Sequence, residues 1–175
     1  MSPHRAILIG AMLSMLVLGN MEARTAERLD LAAFRMAALQ QHNVYRAKHR
    51  APPLVLSNPL NDVAQQHAVR LARINQLVHS GKQQSGENLY ASRPVPPRPE
   101  AVVDTWYNER QHYGFNQPGF RPATGHFTQV VWKASHELGI GIAQAADGTW
   151  YVVANYRPPG NIANQFATNV LKPTD

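Results

Sequence analysis

The amino-acid sequence predicts a single α+β domain in which helices come first and a β-hairpin follows them. Apolar residues recur at a helical period in four earlier segments, and from Leu138 to Tyr156 they recur at a period of two. The chain has 175 residues, close to the size of one domain. Hydrophobic residues make up 44% of it and charged residues 16%, which is apolar enough for a packed core. This order of elements favours a layered α+β architecture.

Four segments have the apolar spacing of helices that bury one side. Prolines mark the boundary between the first two, because Ala51-Pro52-Pro53 ends one helix and Asn58-Pro59 falls in the first turn of the next. The predicted helices are residues 30–49, with Asp30 as the cap, then 57–72, 100–113 and 127–135.

A hairpin is predicted after the last helix. Residues 138–142 alternate apolar side chains with Gly139 and Gly141, Asp147-Gly148 is a favourable turn, and Thr149–Tyr156 is the returning strand. Glycine at alternate positions of a strand indicates that another element packs closely on that face.

Composition excludes several classes of function. The net charge is +6, but basic residues are scattered and no block of five or six occurs, so the chain suits an anionic surface or matrix rather than nucleic acid. There is no cysteine, which excludes disulfides, thiolate zinc sites and a cysteine nucleophile. The sequence contains neither a phosphate-binding glycine loop nor a Gly-x-Ser-x-Gly turn, so nucleotide and serine-hydrolase chemistry are not expected.

The N-terminus is typical of a secretory signal. Arg5 precedes an apolar run from Ala6 to Leu18, and those 13 residues are shorter than the roughly 20 that span a bilayer. We therefore predict a signal peptide at residues 1–23, cleaved after Gly19 or Ala23, and a secreted, extracellular protein. The alternative is an uncleaved anchor that keeps the protein membrane-associated in the secretory pathway. Residues 24–33 are then an N-terminal extension and residues 172–175 a C-terminal tail.

Four polar residues are candidates for a site. Glu109 falls three residues after Trp106 on an apolar stripe, so periodicity places it equally well against the core or at the solvent edge. His126 precedes an apolar helical turn, while His79 and Glu87 lie in loops. Two histidines and two glutamates suit a divalent metal or acid–base chemistry, but no local spacing joins them. Separate structural roles are the alternative.

Four motifs occur in order along the chain. They are His42-Asn43-Val44-Tyr45-Arg46, Gly86-Glu87-Asn88-Leu89, the block GHFTQVVW at 125–132, and YVVANYRPPGN at 151–161. Together they resemble the CAP superfamily, which comprises cysteine-rich secretory proteins, antigen 5 and plant pathogenesis-related group 1. The similarity covers about residues 34–171 and is greatest to the Golgi-associated plant pathogenesis-related group.

The resemblance implies a three-layer α-β-α sandwich with a central cleft lined by His79, Glu87, Glu109 and His126. It also implies that His79 and His126 hold a divalent cation, often zinc, while the glutamates orient the imidazoles or bound water. It does not imply ion-channel activity, because that activity is linked to a cysteine-rich module which this chain lacks.

The expected function is that of a secreted, non-enzymatic CAP binding protein for sterols, fatty acids or anionic lipids. Candidate lipid-contact residues are Arg93 and Arg98 in the proline-rich loop, and Phe115 and Phe120 in the aromatic loop. One alternative is a metal-assisted hydrolase or protease in which Glu87 or Glu109 is catalytic and activates water. Another is an immune or reproductive signalling ligand with a protein receptor. A weak homodimer is compatible with all of these.

Overall fold

A computed structural model of the protein describes residues 29–81 and 84–174. The predicted signal peptide at 1–23 lies outside the described residues. Within these described residues, five α-helices run over Leu31–Lys48 (α1), Asn58–Ile74 (α2), Pro99–Asn108 (α3), Gly125–Val130 (α4) and Phe166–Asn169 (α5). Short 3₁₀ turns cover Glu109–His112 and Pro122–Thr124, and the strands are Val55–Leu56 (β1), Gly86–Ser92 (β2), Glu137–Gln144 (β3) and Trp150–Arg157 (β4).

The four strands form one mixed sheet in the order β1-β3-β4-β2. The predicted hairpin joins β3 to β4, with Ile140 opposite Ala154, and its turn contains Gly148 at a φ of 88°. β2 pairs antiparallel with the other edge of β4, so that Glu87 is opposite Asn155. β1 pairs in parallel with the start of β3 only.

Helices cover both faces of this sheet. On one face, Val153 and Leu89 pack in a buried cluster with Ala64 and Leu71 of α2. On the other face, the Tyr156 hydroxyl lies 2.8 Å from Nε2 of His42 in α1. Because successive side chains of a strand point to opposite faces, residues 153 and 156 of β4 are in contact with different layers. The fold is the α-β-α sandwich that the resemblance implied.

The glycines of β3 let α2 approach the strand closely, as predicted. A Cβ atom on Gly139 would lie 2.1 Å from the Leu60 carbonyl carbon, and one on Gly141 would lie 2.4 Å from that of Ala64. Past the end of β1, side chains of the helices make hydrogen bonds with the backbone groups along the edge of β3. Asn61 and Gln65 accept from the Ile140 and Ile142 amides, and Arg35 donates to the Ile140 carbonyl.

Arg46 ties α1 to the segment after α4. Its guanidinium is fully buried and donates to the carbonyls of Pro52, Val130, Trp132 and Ser135 at 2.8–3.0 Å. Burial lowers the pKa of Arg46 to about 10, which leaves the group charged at neutral pH. A cation that satisfies four carbonyls fixes this irregular segment against the core.

The structure corrects the predicted boundaries of two helices. The third helix ends at Asn108 rather than Tyr113, because the chain tightens into a 3₁₀ turn at Glu109. The fourth covers 125–130 rather than 127–135. Its start is set by Glu109, which accepts from the amides of His126 and Phe127, and the carbonyls beyond its end are taken by Arg46.

Candidate functional site

A cleft of about 350 Å³ opens between the start of β2 and the start of α4. Three of the four predicted site residues line it, namely His79, Glu87 and His126. Glu109 does not line the cavity but bonds directly to His126. The structure thus brings together four side chains from four separate segments.

The first pair consists of His79 and Glu87. Oε1 of Glu87 accepts from Nδ1 of His79 and from the backbone amide of Ser80, each at 2.8 Å. The Glu87 side chain is only 8% exposed, whereas that of His79 is 65% exposed. Burial tends to raise the pKa of Glu87, but hydrogen bonds from Ser80 and His79 outweigh it and hold the pKa below its usual value. Glu87 is therefore a carboxylate at neutral pH.

The second pair consists of His126 and Glu109. Nδ1 of His126 lies 2.6 Å from Oε1 of Glu109, while Oε2 accepts from the His126 amide at 2.9 Å and the Phe127 amide at 3.2 Å. The carboxylate therefore holds both the imidazole and the backbone that carries it. Neither of the two roles that periodicity allowed for Glu109 describes this position, because the residue starts a 3₁₀ turn and is half-buried.

The two imidazoles have the same tautomer. A carboxylate oxygen only accepts hydrogen bonds, so Nδ1 carries the hydrogen in both His79 and His126. In the neutral ring Nε2 then has a free lone pair. Neither Nε2 atom has a hydrogen-bond partner within residues 29–81 and 84–174. Each ring thus retains one nitrogen that can accept a proton or bind a cation.

Asn88 connects the cleft to the interior. Its amide donates to the His126 carbonyl at 3.1 Å and to the Tyr156 hydroxyl at 3.2 Å. The sequence prediction did not include this role, although Asn88 stands beside Glu87 in a motif that it used. His67 of α2 lies behind Glu87, with its Nε2 3.9 Å from Oε2.

The four candidate lipid-contact residues differ in their surroundings. Arg93 lies 3.7 Å from Asp147, and Arg98 lies 3.8 Å from Glu100. Phe115 packs edge-on against Phe127 and Tyr113. Only Phe120 is both strongly exposed, at 58%, and on the wall of the cleft.

A helix-sheet-helix sandwich with two carboxylate-bound histidines in one cleft defines the class of this protein. The family model described as "CAP: Cysteine-rich secretory protein family" matches residues 39–156. The chain belongs to the CAP family, which confirms the resemblance inferred from the motifs.

Individual relatives agree with this assignment. The chain is 46% identical over 145 residues to the Golgi-associated plant pathogenesis-related protein 1 of Homo sapiens, covering 80% of this chain and 94% of that protein. It is 35% identical over 126 residues to a PR-1 type pathogenesis-related protein of Sambucus nigra, covering 71% and 75%. A solved structure described as "Crystal structure of NaASP2 with Zn2+" superposes with a TM-score of 0.63 at 21% identity, covering 81% and 86%, and supports the fold alone.

Proposed function

We propose that this protein is a secreted, non-enzymatic CAP binding protein whose cleft holds a divalent cation, zinc, through His79 and His126. The observation that carries this proposal is the shared geometry of the two rings. In each ring, a glutamate oxygen accepts the hydrogen of Nδ1, and Nε2 has no hydrogen-bond partner in the described segments. Both histidines line the same cavity. A carboxylate on the far nitrogen orients a metal-binding histidine and raises its basicity.

The donor set fits a labile cation better than a structural one. Within the described part of the chain, no group of three or more histidine, cysteine or acidic side chains is arranged to hold a metal. A structural zinc usually has four protein ligands, whereas a site with fewer leaves positions open. When bound, the cation supplies a Lewis acid to which water or a ligand oxygen can add.

Binding is favoured over turnover because both acidic groups are already engaged. Glu109 accepts hydrogen bonds on both oxygens. Glu87 accepts on Oε1 while its Oε2 is buried, so neither carboxylate presents a free oxygen to water. The lowered pKa of Glu87 also makes it a weak base. A metal-assisted hydrolase would need one of these carboxylates to be released or uncovered first.

Anionic surfaces are a second candidate ligand, favoured by the distribution of charge. A group of exposed basic side chains lies at or near residues 171–174. In the described segments, none of these side chains lies within 4 Å of a carboxylate. Contacts place them together: Arg50 donates to the Lys172 carbonyl, Lys172 and Arg121 line one cavity, and Lys48 and Arg110 line another beside Thr174. We call this the basic face, made of Lys48, Arg50, Arg110, Arg121 and Lys172.

Secretion rests on the signal predicted at residues 1–23. Among the described residues, no helix combines the length and the apolar character needed to span a bilayer. Mass spectrometry of the exported protein tests the prediction, since a mature N-terminus at residue 20 or 24 is expected. An intact N-terminus on a membrane-bound protein would favour the anchor alternative.

Zinc titration of the chelator-stripped full chain tests the cation proposal. We expect one zinc per chain, and a loss of affinity in His79→Ala and in His126→Ala that exceeds the about 10–100-fold typical of losing an orienting partner. Glu109→Gln should fall within that range. His112→Ala, which removes an exposed histidine outside the cleft, is the matched control and should bind as wild type does.

Two results would contradict the proposal. One is the absence of zinc binding by the wild-type chain, and the other is equal binding by the wild type and both histidine variants. Hydrolysis of peptide or ester libraries that requires both zinc and His126 would favour the enzymatic alternative instead.

A further inference from the structure

The two His–Glu pairs of the cleft differ in how the carboxylate is held. Glu109 accepts hydrogen bonds on both oxygens, and all of the donors belong to His126 and Phe127. Glu87 uses Oε1 for His79 and the Ser80 amide, while its Oε2 is buried and has no hydrogen-bond partner in the described segments. A buried carboxylate oxygen without a donor is costly unless a positive or polarised group faces it.

His67 lies close to this oxygen. Its Nε2 lies 3.9 Å from Oε2 of Glu87, and the side chain is 6% exposed on the inner side of α2. The same nitrogen lies 3.0 Å from the Val78 carbonyl. A carbonyl only accepts, so Nε2 carries the hydrogen and donates it to Val78, while Oε2 of Glu87 lies within 4 Å of the same polarised N–H group.

Both of these contacts are with groups that hold His79 in place. Val78 immediately precedes His79 in an irregular stretch after α2, and Glu87 is the side chain that holds its ring. The His79 ring is 65% exposed, whereas that of His126 is 34% exposed on a helix. The orientation of His79 therefore depends on a backbone and a carboxylate that His67 contacts together.

We propose that His67 is a positioning residue for His79, acting through the Val78 carbonyl and the Glu87 carboxylate. The pairing of His126 with Glu109 has no such third imidazole in the described part of the chain. The part of this inference that concerns a bound cation rests on the proposed function, while the part that concerns the His79 ring does not. Burial raises the pKa of Glu87, whereas the hydrogen bonds from Ser80 and His79, followed by the electrostatic interaction with His67, lower it.

Nitrogen-15 NMR of the imidazole rings in the metal-free full chain tests the positioning role. In wild type, the ring nitrogens of His79 and His126 should both report one tautomer with the hydrogen on Nδ1. His67→Phe keeps a flat ring but removes the donor, so the His79 signals should move to the averaged values of a free imidazole. His126 is the internal control and should not change.

A conservative variant separates positioning from packing. The amide nitrogen that His67→Gln introduces takes nearly the place of the imidazole Nε2 and should restore the His79 signals, whereas the shorter side chain in His67→Asn should not. If His67→Phe fails to fold, the comparison of His67→Gln with His67→Asn still tests the positioning role. Wild-type His79 signals in His67→Asn, or in a folded His67→Phe, would overturn the proposal.

Zinc titration of the same variants gives the second readout. The affinity should fall by about tenfold in His67→Asn and recover in His67→Gln, at unchanged melting temperatures. If wild type binds no zinc, the proposed function fails, yet the NMR result still decides the role of His67. If wild type binds zinc and His67→Asn binds it equally well, the positioning role is wrong and the cation site stands.

Discussion

At the scale of single residues, a chain of buried hydrogen bonds joins α1 to the cleft. Nδ1 of His42 donates to the Ala38 carbonyl at 2.7 Å, so Nε2 accepts from the Tyr156 hydroxyl at 2.8 Å. The Tyr156 oxygen in turn accepts from Asn88, whose amide also reaches the His126 carbonyl. The hydrogen bond from the Tyr156 hydroxyl requires a neutral His42, because a protonated ring has no nitrogen that can accept it.

The pH dependence of stability follows from that requirement. Burial, opposed by the hydrogen bond to Ala38 and aided by the charge of Arg46, lowers the pKa of His42 to about 4. Between pH 6.5 and 4 the unfolded chain binds a proton at His42 and the folded chain does not, so the free energy of unfolding falls as the pH falls. The full loss from this residue is about 3 kcal/mol.

Urea unfolding at about pH 7 and about pH 4.5, with chelator present, measures this effect. His42→Gln should be less stable than wild type at neutral pH but should lose less stability on acidification. The pKa of His49 is also lowered by burial, so some acid sensitivity remains in the variant. His112→Gln should follow wild type at both pH values. An unchanged acid dependence in His42→Gln would contradict the assignment.

At the scale of elements, α4 illustrates how a distant side chain can set a helix boundary. Its six residues have no side-chain cap from their own segment, and the carboxylate of Glu109 takes the first amides instead. Negative charge at a helix N-terminus is favourable because the amides there are unpaired. Glu109 also bonds the His126 ring, so one residue both sets the start of α4 and orients a histidine of the cleft.

The approach of α2 to β3 gives a second prediction at this scale. Gly139→Ala places a methyl group against the backbone of Leu60 and Asn61, which cannot rotate away. We expect a loss of more than about 2 kcal/mol in the free energy of unfolding. Gly119→Ala is the matched control, because nothing lies within 4 Å of its Cβ position and its φ is not positive. Denaturant unfolding that gives equal stability for both variants would show that the two layers can separate.

At the scale of the whole molecule, charge is distributed unevenly. Arg93, Arg98 and Arg157 each lie within 4 Å of a carboxylate, whereas the cations of the basic face do not within the described chain. Exposed ion pairs reduce the local field, so the unpaired cations dominate attraction to an anionic surface. We therefore expect the proline-rich loop to contribute less to binding of an anionic surface than its two arginines suggested.

Vesicle sedimentation separates these two surfaces. With phosphatidylserine vesicles at low salt, Arg121→Glu combined with Lys172→Glu should abolish most of the binding. Arg93→Glu combined with Arg98→Glu changes the net charge equally and should retain it. Binding should also weaken as salt rises, because the attraction is screened. Equal losses in the two double variants would assign the effect to net charge rather than to the basic face.

Local patterns were sufficient for much of the architecture. The boundaries of α1, the start of α2 at Asn58 and the hairpin turn at Gly148 follow from proline and glycine positions and hydrophobic period. The close packing on Gly139 and Gly141 was also predicted. β2 was not placed from periodicity, because both of its faces carry polar side chains, and the cleft residues were joined only through the resemblance to a family.

The sequence by itself therefore determined the fold class and the family, and it singled out the four side chains that form the two His–Glu pairs. Only the tertiary structure decided how those side chains pair, where α3 and α4 end, and that His67 lies behind Glu87. The physical reason is range. The hydrophobic periods of helices and strands reflect interactions between residues that are close in the sequence. The contacts of Glu109 with His126 and of His67 with Glu87 instead join residues that are 17 and 20 positions apart.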